Sequence, residues 1–440
     1  MPRFAAHCVC RARIALGALL ATSLLVLAAA PAAAEDNWPQ FRGPRCDGTA
    51  DAPVAAGAAT APAAGLPLTW SEDQNVAWKT PITGRGWSSP VLWGKQVWLT
   101  TASADGKEMS VLCLDRDGGK VVQNVQLFQN DKPAPINPMN SYASPTPAVE
   151  EGRVYVHFGT YGTACLDTAT AQTVWARRDL NCSHEAGPGS SPLLAGDRLF
   201  LAVDGMDVQY VVALDKATGK TVWKTPRSAD FTGIAEDRRK AFCTPTMIDV
   251  DGKRQLVCPG AAEAVAYEPD TGKEIWKVRY PGGYSNVSRP VLAGGVVVLN
   301  GGFESFPVVA VRPTGSGDVT DTLVAWQFPR GGPSKTSPLV AGGLLYMLQD
   351  GGLLSCLEPA SGKEVWHQRL GGGYSASPVL AEGRMYVCDE RSTTLVLAPG
   401  REFKQLAANK LDAGCMASPA VAGKAIFLRT KTHVYRLEQK

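Results

Sequence analysis

Apolar residues come in short runs along this chain, and residues 190–224 show the pattern most plainly: SSPLLAGDRLFLAVDGMDVQYVVALDKATGKTVWK. The runs are 192–194, 198–203, 210–215 and 220–224, separated by Ala195-Gly196-Asp197, Asp204-Gly205 and 216–219. Gly and Asp favour tight turns, so the spacing predicts four β-strands joined as a small antiparallel sheet. In the second run Leu199, Phe200, Leu201, Ala202 and Val203 are apolar at every position. A strand with one wet face would alternate, so this sheet is expected to be covered on both faces. Four short strands have too little core to stand alone and need neighbours of their own kind.

The neighbours follow from the repeat. A Pro, usually after Ser, opens an apolar run at Pro90, Pro145, Pro192, Pro245, Pro290, Pro338, Pro378 and Pro419, in steps of 40 to 55 residues. A second mark recurs as DKATGKTVW ending at Trp223, EPDTGKEIW at Trp276 and EPASGKEVW at Trp366, with looser copies at Trp175 and Trp326. Four strands at this period predict an all-β fold, an eight-bladed β-propeller of four-stranded antiparallel blades. The Trp recurs at the blade period and is expected to dock one blade on the next. After Pro419 the chain supplies only 425–430 and 433–437, so the last blade is one strand short. NVAWKT at 75–80 is similar to the outer-strand segment TVWKT at 221–225. It is expected to close the ring by pairing with the final blade, which removes an exposed sheet edge.

Composition changes the picture at the N-terminus. Arg3, Arg11 and Arg13 flank and precede an uncharged apolar run at 14–30, followed by Ala32-Ala33-Ala34. This is the pattern of a secretory signal peptide over 1–34. No later stretch is long and apolar enough to span a bilayer. The domain reading is a signal at 1–34, an N-terminal lead with an Ala/Pro-rich strap at 35–65, and the propeller at 66–440. The protein is then exported, to the periplasm or beyond the cell. Removing three arginines from 44 basic residues leaves 41 against 41 acidic ones, a neutral chain without a bulk drive toward nucleic acid or anionic lipid.

Nine cysteines follow the signal: Cys46, Cys113, Cys165, Cys182, Cys243, Cys258, Cys356, Cys388 and Cys415. Their odd number leaves at least one unpaired. Cys113, Cys165 and Cys356 fall at one repeat position, where Ala213 and Ala266 stand in other copies, so they read as small buried apolar residues. None of the nine is adjacent to another or spaced C-x-x-C, which leaves a zinc ribbon, a thioredoxin-like centre and a vicinal disulfide without support.

The Ser-Pro openings, the ALDKATGK-type turn and the Trp that follows resemble pyrroloquinoline-quinone (PQQ)-type repeats, and the lead NWPQFRGP is similar to that of secreted PQQ-like propeller proteins. The resemblance covers 66–440. It implies an eight-bladed propeller and two kinds of relative. Quinoprotein alcohol and glucose dehydrogenases hold PQQ in an axial site with Ca²⁺, a stacking Trp and a vicinal disulfide. The scaffold of outer-membrane β-barrel assembly is a non-enzymatic lipoprotein. This chain has no vicinal cysteines, no Glu–Asn–Asp constellation that maps onto the metal site, none of the long inter-blade insertions, and no lipid-attachment Cys.

Whatever varies between copies is where chemistry would lie, because the repeated positions build the ring. The loops before the Ser-Pro marks crowd one mouth of the axial channel. They bring Arg85, Trp87, Asn140, Tyr142, His184, Glu185, Phe242, Tyr284, Asn286, Arg289, Lys335, Tyr374 and Met416 there. Aromatic faces with amide, guanidinium and ammonium donors suit a peptide, a sugar or a quinone-like ring. The competing reading has these side chains plugging the narrow end of the ring or capping blade contacts. Arg289 stands where the other copies have Ser or Thr and places a cation near the axis. His184-Glu185 offers an acid–base pair or metal ligands, but His157, His367 and His433 add no ligand spacing, and a hydrogen-bonded loop is the expectation. Asp249-x-Asp251-Gly252 and Asp115-x-Asp117-Gly118 lack the terminal Glu of an EF-hand and read as hairpin turns. No Walker loop, G-x-S-x-G elbow or dinucleotide fingerprint is present. The expected function is a non-catalytic, monomeric scaffold that binds a protein, peptide or glycan, with no catalytic residue, metal or cofactor assigned. The alternative is a quinoprotein-like oxidoreductase with PQQ and calcium at a degenerate site.

Overall fold

The structure, a computed structural model, describes residues 37–50, 65–280, 282–303 and 307–440. The signal-peptide reading and the strap at 51–64 lie outside the described residues. Blade 3 shows how the repeat folds. Leu193–Ala195, Arg198–Asp204, Gln209–Asp215 and Thr221–Pro226 pair antiparallel in chain order. Leu199 to Val203 are all buried, as an unbroken apolar run requires. Seven more sheets complete the eight-bladed propeller: 91–129, 148–177, 246–279, 291–328, 339–369, 379–410 and the closing blade.

The closing blade is built as the sequence predicts. Ala420–Ala422, Ala425–Arg429 and His433–Glu438 take Val76–Pro81 as their outermost strand. Trp78 lies opposite Arg436 and Thr80 opposite Val434, antiparallel. The chain's first long strand is thus paired with its last. One addition was not legible: Gly317–Asp318 adds parallel to Glu274–Arg279 as a fifth strand on blade 4. Two residues are too few to show a period.

A pairing rule docks the blades. Trp175, Trp223 and Trp326 each donate their indole N–H, at 2.9 Å, to a carbonyl in the turn of the next blade: Lys216, Pro269 and Pro359. Trp78 does the same to Arg116 at 3.0 Å. Each ring lies on a turn glycine in the left-handed region: Gly219, Gly272, Gly362 and Gly119. A Cβ on any of them would lie 2.4 to 2.6 Å from the indole. The outer strand of blade 1 has Gln123, not Trp, at this position. The turn it meets carries Ala171, which holds the same left-handed conformation at φ +56°. Where no ring arrives, a Cβ fits. Inside blades 2 to 6 the residue opposite the Trp is small: Cys165, Ala213, Ala266, Ala310 and Cys356. The alternation of Cys with Ala therefore reflects the space left by the ring.

At the axis the residues before the inner-strand prolines join hand to hand. The N–H of Ser89 donates to Thr146 Oγ1, Thr146 to Ser191 Oγ, and Ser191 to Thr244 Oγ1, at 2.9 to 3.0 Å. Arg289 donates to Ser337 Oγ, Ser337 to Ser377 Oγ, Ser377 to Ser418 Oγ, and Ser418 to Ser89 Oγ, at 2.9 to 3.1 Å. This ring corrects the blade 2 mark, which is Thr146-Pro147 and not Ser144-Pro145. The link from Thr244 to blade 5 has no hydroxyl to receive it, because Arg289 stands there.

The lead uses the free inner edges of the blades. Trp38 exchanges both backbone hydrogen bonds with Leu92 of blade 1, and Val149 of blade 2 donates to Pro39 O. The Gln40 amide accepts from the N–H of Leu194 in blade 3. Arg42 donates to the carbonyls of Pro338 at 2.6 Å and Pro378 at 3.3 Å, in blades 6 and 7. Gly48 and Ala50 pair with Leu380. A segment bonded to the inner edges of that many blades lies in the axial channel. Burial lowers the Arg42 pKa to about 10, with Asp47 acting against it and Arg289 adding to it.

Candidate functional site: the loop mouth and the axis beneath it

Around the mouth, side chains of one loop reach the backbone of the next. Arg85 lies 5.1 Å over the Trp87 ring and donates to Pro138 O, while Trp87 Nε1 donates to Met139 O at 2.9 Å. Asn140 Nδ2 donates to Ala186 O and Pro188 O, and Tyr142 Oη to Ala134 O. Glu185 pairs with Lys240 at 2.6 Å, and the Phe242 N–H donates to Asn286 O. Lys335 pairs with Glu390 at 2.8 Å, and the N–H of Tyr374 donates to Asp350 O. Arg429 closes the circuit from blade 8 to blade 1, donating to Ser88 O, Ser88 Oγ and Thr100 O. Burial brings the Arg429 pKa down to about 9.

The sequence-predicted residues therefore fall into two groups. Arg85, Trp87, Asn140, His184, Tyr284, Lys335 and Met416 are half-buried and Glu185 is exposed, all at the mouth. Tyr142, Phe242, Asn286, Arg289 and Tyr374 lie beneath it, 8% exposed or less. Asn286 is held by Gly260 O and Tyr280 Oη. Arg289 donates to Pro245 O at 2.6 Å, Thr246 Oγ1 at 2.9 Å and Phe41 O of the lead at 2.7 Å. It is near the axis, as its departure from Ser or Thr suggested, and it grips the lead there. Exposed apolar groups on the same face are Met139 and Phe303, with Arg238 5.1 Å over the Tyr284 ring.

His184 and Glu185 point to different partners. The His184 ring packs against Gly159, beside His157, Ser190, Asp204 and Phe242, around a cavity with about 10 Å³ open to the centre of a water molecule. That is room for roughly one water. Burial, with His184 close by, drops the His157 pKa to about 3; burial likewise takes His184 to about 4, with Asp207 opposing. Asp204 in turn meets Arg227 in a buried fork, 3.0 Å at Nε and 2.6 Å at Nη2. Burial alone would lower the Arg227 pKa, but Asp204, with Tyr267 and Cys258 beside it, raises it overall. Neither Arg227, Lys240 nor Glu390 was legible, since each lies outside the repeat marks. The Asp-Gly motifs are turns: Gly252 N–H donates to Asp249 and Gly118 N–H to Asp115.

PQQ with calcium does not suit this arrangement. The axis at the inner prolines carries the lead, with the Arg42 and Arg289 guanidiniums, rather than an acidic cradle. Among the described residues no three His, Cys, Asp or Glu side chains group so as to hold a metal.

Ring and mouth together define an eight-bladed propeller of PQQ-type repeats, closed by an N-terminal strand. The chain belongs to the family described as outer membrane protein assembly factor BamB, which matches residues 59–225 and 207–440. Its fold is similar to BamB from Moraxella catarrhalis, with TM-score 0.54 and 12% identity, covering 86% of this chain and 100% of that one. It is also similar to quinohemoprotein alcohol dehydrogenase from Comamonas testosteroni, with TM-score 0.65 and 13% identity, covering 93% and 82%. A curated relative, tetrathionate hydrolase from Acidithiobacillus ferrooxidans, is 23% identical over 327 residues, or 70% of this chain. The chain spans 63% of that relative's length.

Proposed function

We propose that this protein is an exported, non-catalytic scaffold that binds a segment of a partner protein on its loop mouth. The observation that carries this reading is the occupied axis: Trp38, Gln40, Phe41 and Arg42 sit where a family enzyme would need an open cofactor site. Below the mouth Asn286, Arg289 and Arg429 donate to neighbouring oxygens of the ring and the lead. Above it remain Trp87, Met139, Tyr284 and Phe303 beside Arg85 and Arg238, an aromatic and cationic surface of the kind proteins dock on. The family's assembly scaffold is non-enzymatic, in keeping with this reading.

A photo-crosslinking residue placed at Met139 or Phe303 in the full chain tests it. Discrete protein adducts are expected there, and none from Asp197 on the opposite turns. Equal labelling at all three positions would refute a mouth-directed scaffold.

A further inference from the structure

We propose that residues 181–189 form an acid-released latch across the mouth, closed while His184 and His157 are neutral and freed when they take up protons. The inference concerns the loop itself and holds whatever docks above it. The loop ties three others together. Asn140 Nδ2 donates to Ala186 O at 2.8 Å and to Pro188 O at 3.1 Å. The Met206 N–H donates to Ser183 O, the Ser183 N–H donates to Asp207 Oδ1 at 2.7 Å, and Glu185 pairs with Lys240. Met139, exposed at the mouth, precedes Asn140, so release of the loop reshapes the mouth.

One side chain anchors the loop. The His184 ring lies on Gly159, where an added Cβ would be 2.9 Å from Nδ1 and closer still to Cε1. His184 Nδ1 is buried and, among the described residues, has no hydrogen-bond partner. A lone pair there forgoes one bond to water; a proton there would add a buried charge whose N–H has no acceptor. His157 lines the same small cavity, with Nδ1 2.8 Å from Thr163 Oγ1. With about 10 Å³ open to the centre of a water, the cavity is too small to hydrate two imidazoliums. Its lining carboxylate, Asp204, is already forked onto Arg227. The other charged groups around the pair are Asp207, which accepts the Ser183 and Val208 N–H groups, and Lys240, which is paired with Glu185. Burial raises the pKa of Cys182 and of Tyr161, so both stay neutral. Glu185 holds a left-handed backbone at φ +41°, which opening would relieve. Burial holds the His184 pKa to about 4 and, with His184 close by, that of His157 to about 3. Above about 6.5 neither the open nor the closed loop binds these protons. Below it the open loop binds protons that the closed one refuses. Closure then weakens about tenfold per pH unit for each histidine freed, down to about 4 for His184.

Hydrogen exchange on the full chain, corrected for its intrinsic pH dependence, reads the latch between about pH 6.5 and 4.5. The closed loop engages the N–H groups of Ser183 and Met206. Their protection should fall about tenfold or more per pH unit, while the strand Arg198–Asp204 beneath keeps its own. His184→Phe, which fills the space without titrating, should abolish the fall, and His157→Gln should lessen it. Glu185→Gln should leave it in place. Level protection at Ser183 and Met206 over this range would overturn the proposal. So would a fall shared equally by the strand, or one that survives both histidine substitutions. Should His184→Phe fail to fold, the wild-type comparison of loop with strand and the His157→Gln profile still decide the matter.

Discussion

At the residue scale the docking rule makes a paired prediction. Gly219→Ala would drive a methyl into the Trp175 ring at a left-handed position and should cost about 2 to 3 kcal/mol. Ala171→Gly meets no ring and relieves a left-handed backbone, so it should stabilise by about 1 kcal/mol. Chemical denaturation reads both; equal effects would refute the rule. A second prediction concerns pH. Unfolded histidines bind a proton below about 6.5. His184 holds off protonation to about 4 and His157 to about 3. Between those values the unfolded chain binds more protons, so stability falls as pH drops from about 6.5 toward 4. His157→Gln should flatten that slope, and an unchanged slope would show the histidines are not its source. The repeated Trp and Cys positions were legible because each copy restates the others. The histidine cavity and the Asp204–Arg227 fork were not, because each occurs once and joins residues distant in sequence.

At the scale of elements the closing strand is decisive. Trp78 packs on Gly119 and 6.0 Å from the Phe427 ring, so Trp78→Ala should cost about 3 to 5 kcal/mol. Deleting 66–80 should unfold or aggregate the protein by leaving His433–Glu438 as an open edge. A truncated form with unchanged melting behaviour would contradict the closure. Strand count and closure were legible from turn chemistry and period, which are local signals. The blade 2 boundary was misplaced by two residues because Ser144-Pro145 imitates the mark, while the hydrogen-bonded ring runs through Thr146. The position of the lead was hidden for another reason: its partners lie up to 336 residues away, as with Arg42 and Pro378.

For the whole molecule, the lead makes the ring a body with a filled axis, and Arg289 joins the two. Arg289→Ser would offer Thr244 the missing hydroxyl while releasing Phe41 O. The blades should then melt nearly as before, whereas limited proteolysis should cut between Phe41 and Arg45; resistance equal to wild type would show that Arg289 does not hold the lead. Loops that differ between copies stand apart from a repeat, so their residues could be named as a set from the sequence. Which of them are buried was not legible, because burial depends on the lead threading beneath them. The most direct measurement is a titration of the purified full chain with PQQ and Ca²⁺, followed by absorbance and dye reduction. A scaffold with a filled axis predicts no saturable binding and no turnover. Saturable uptake of PQQ with alcohol-dependent dye reduction would contradict it.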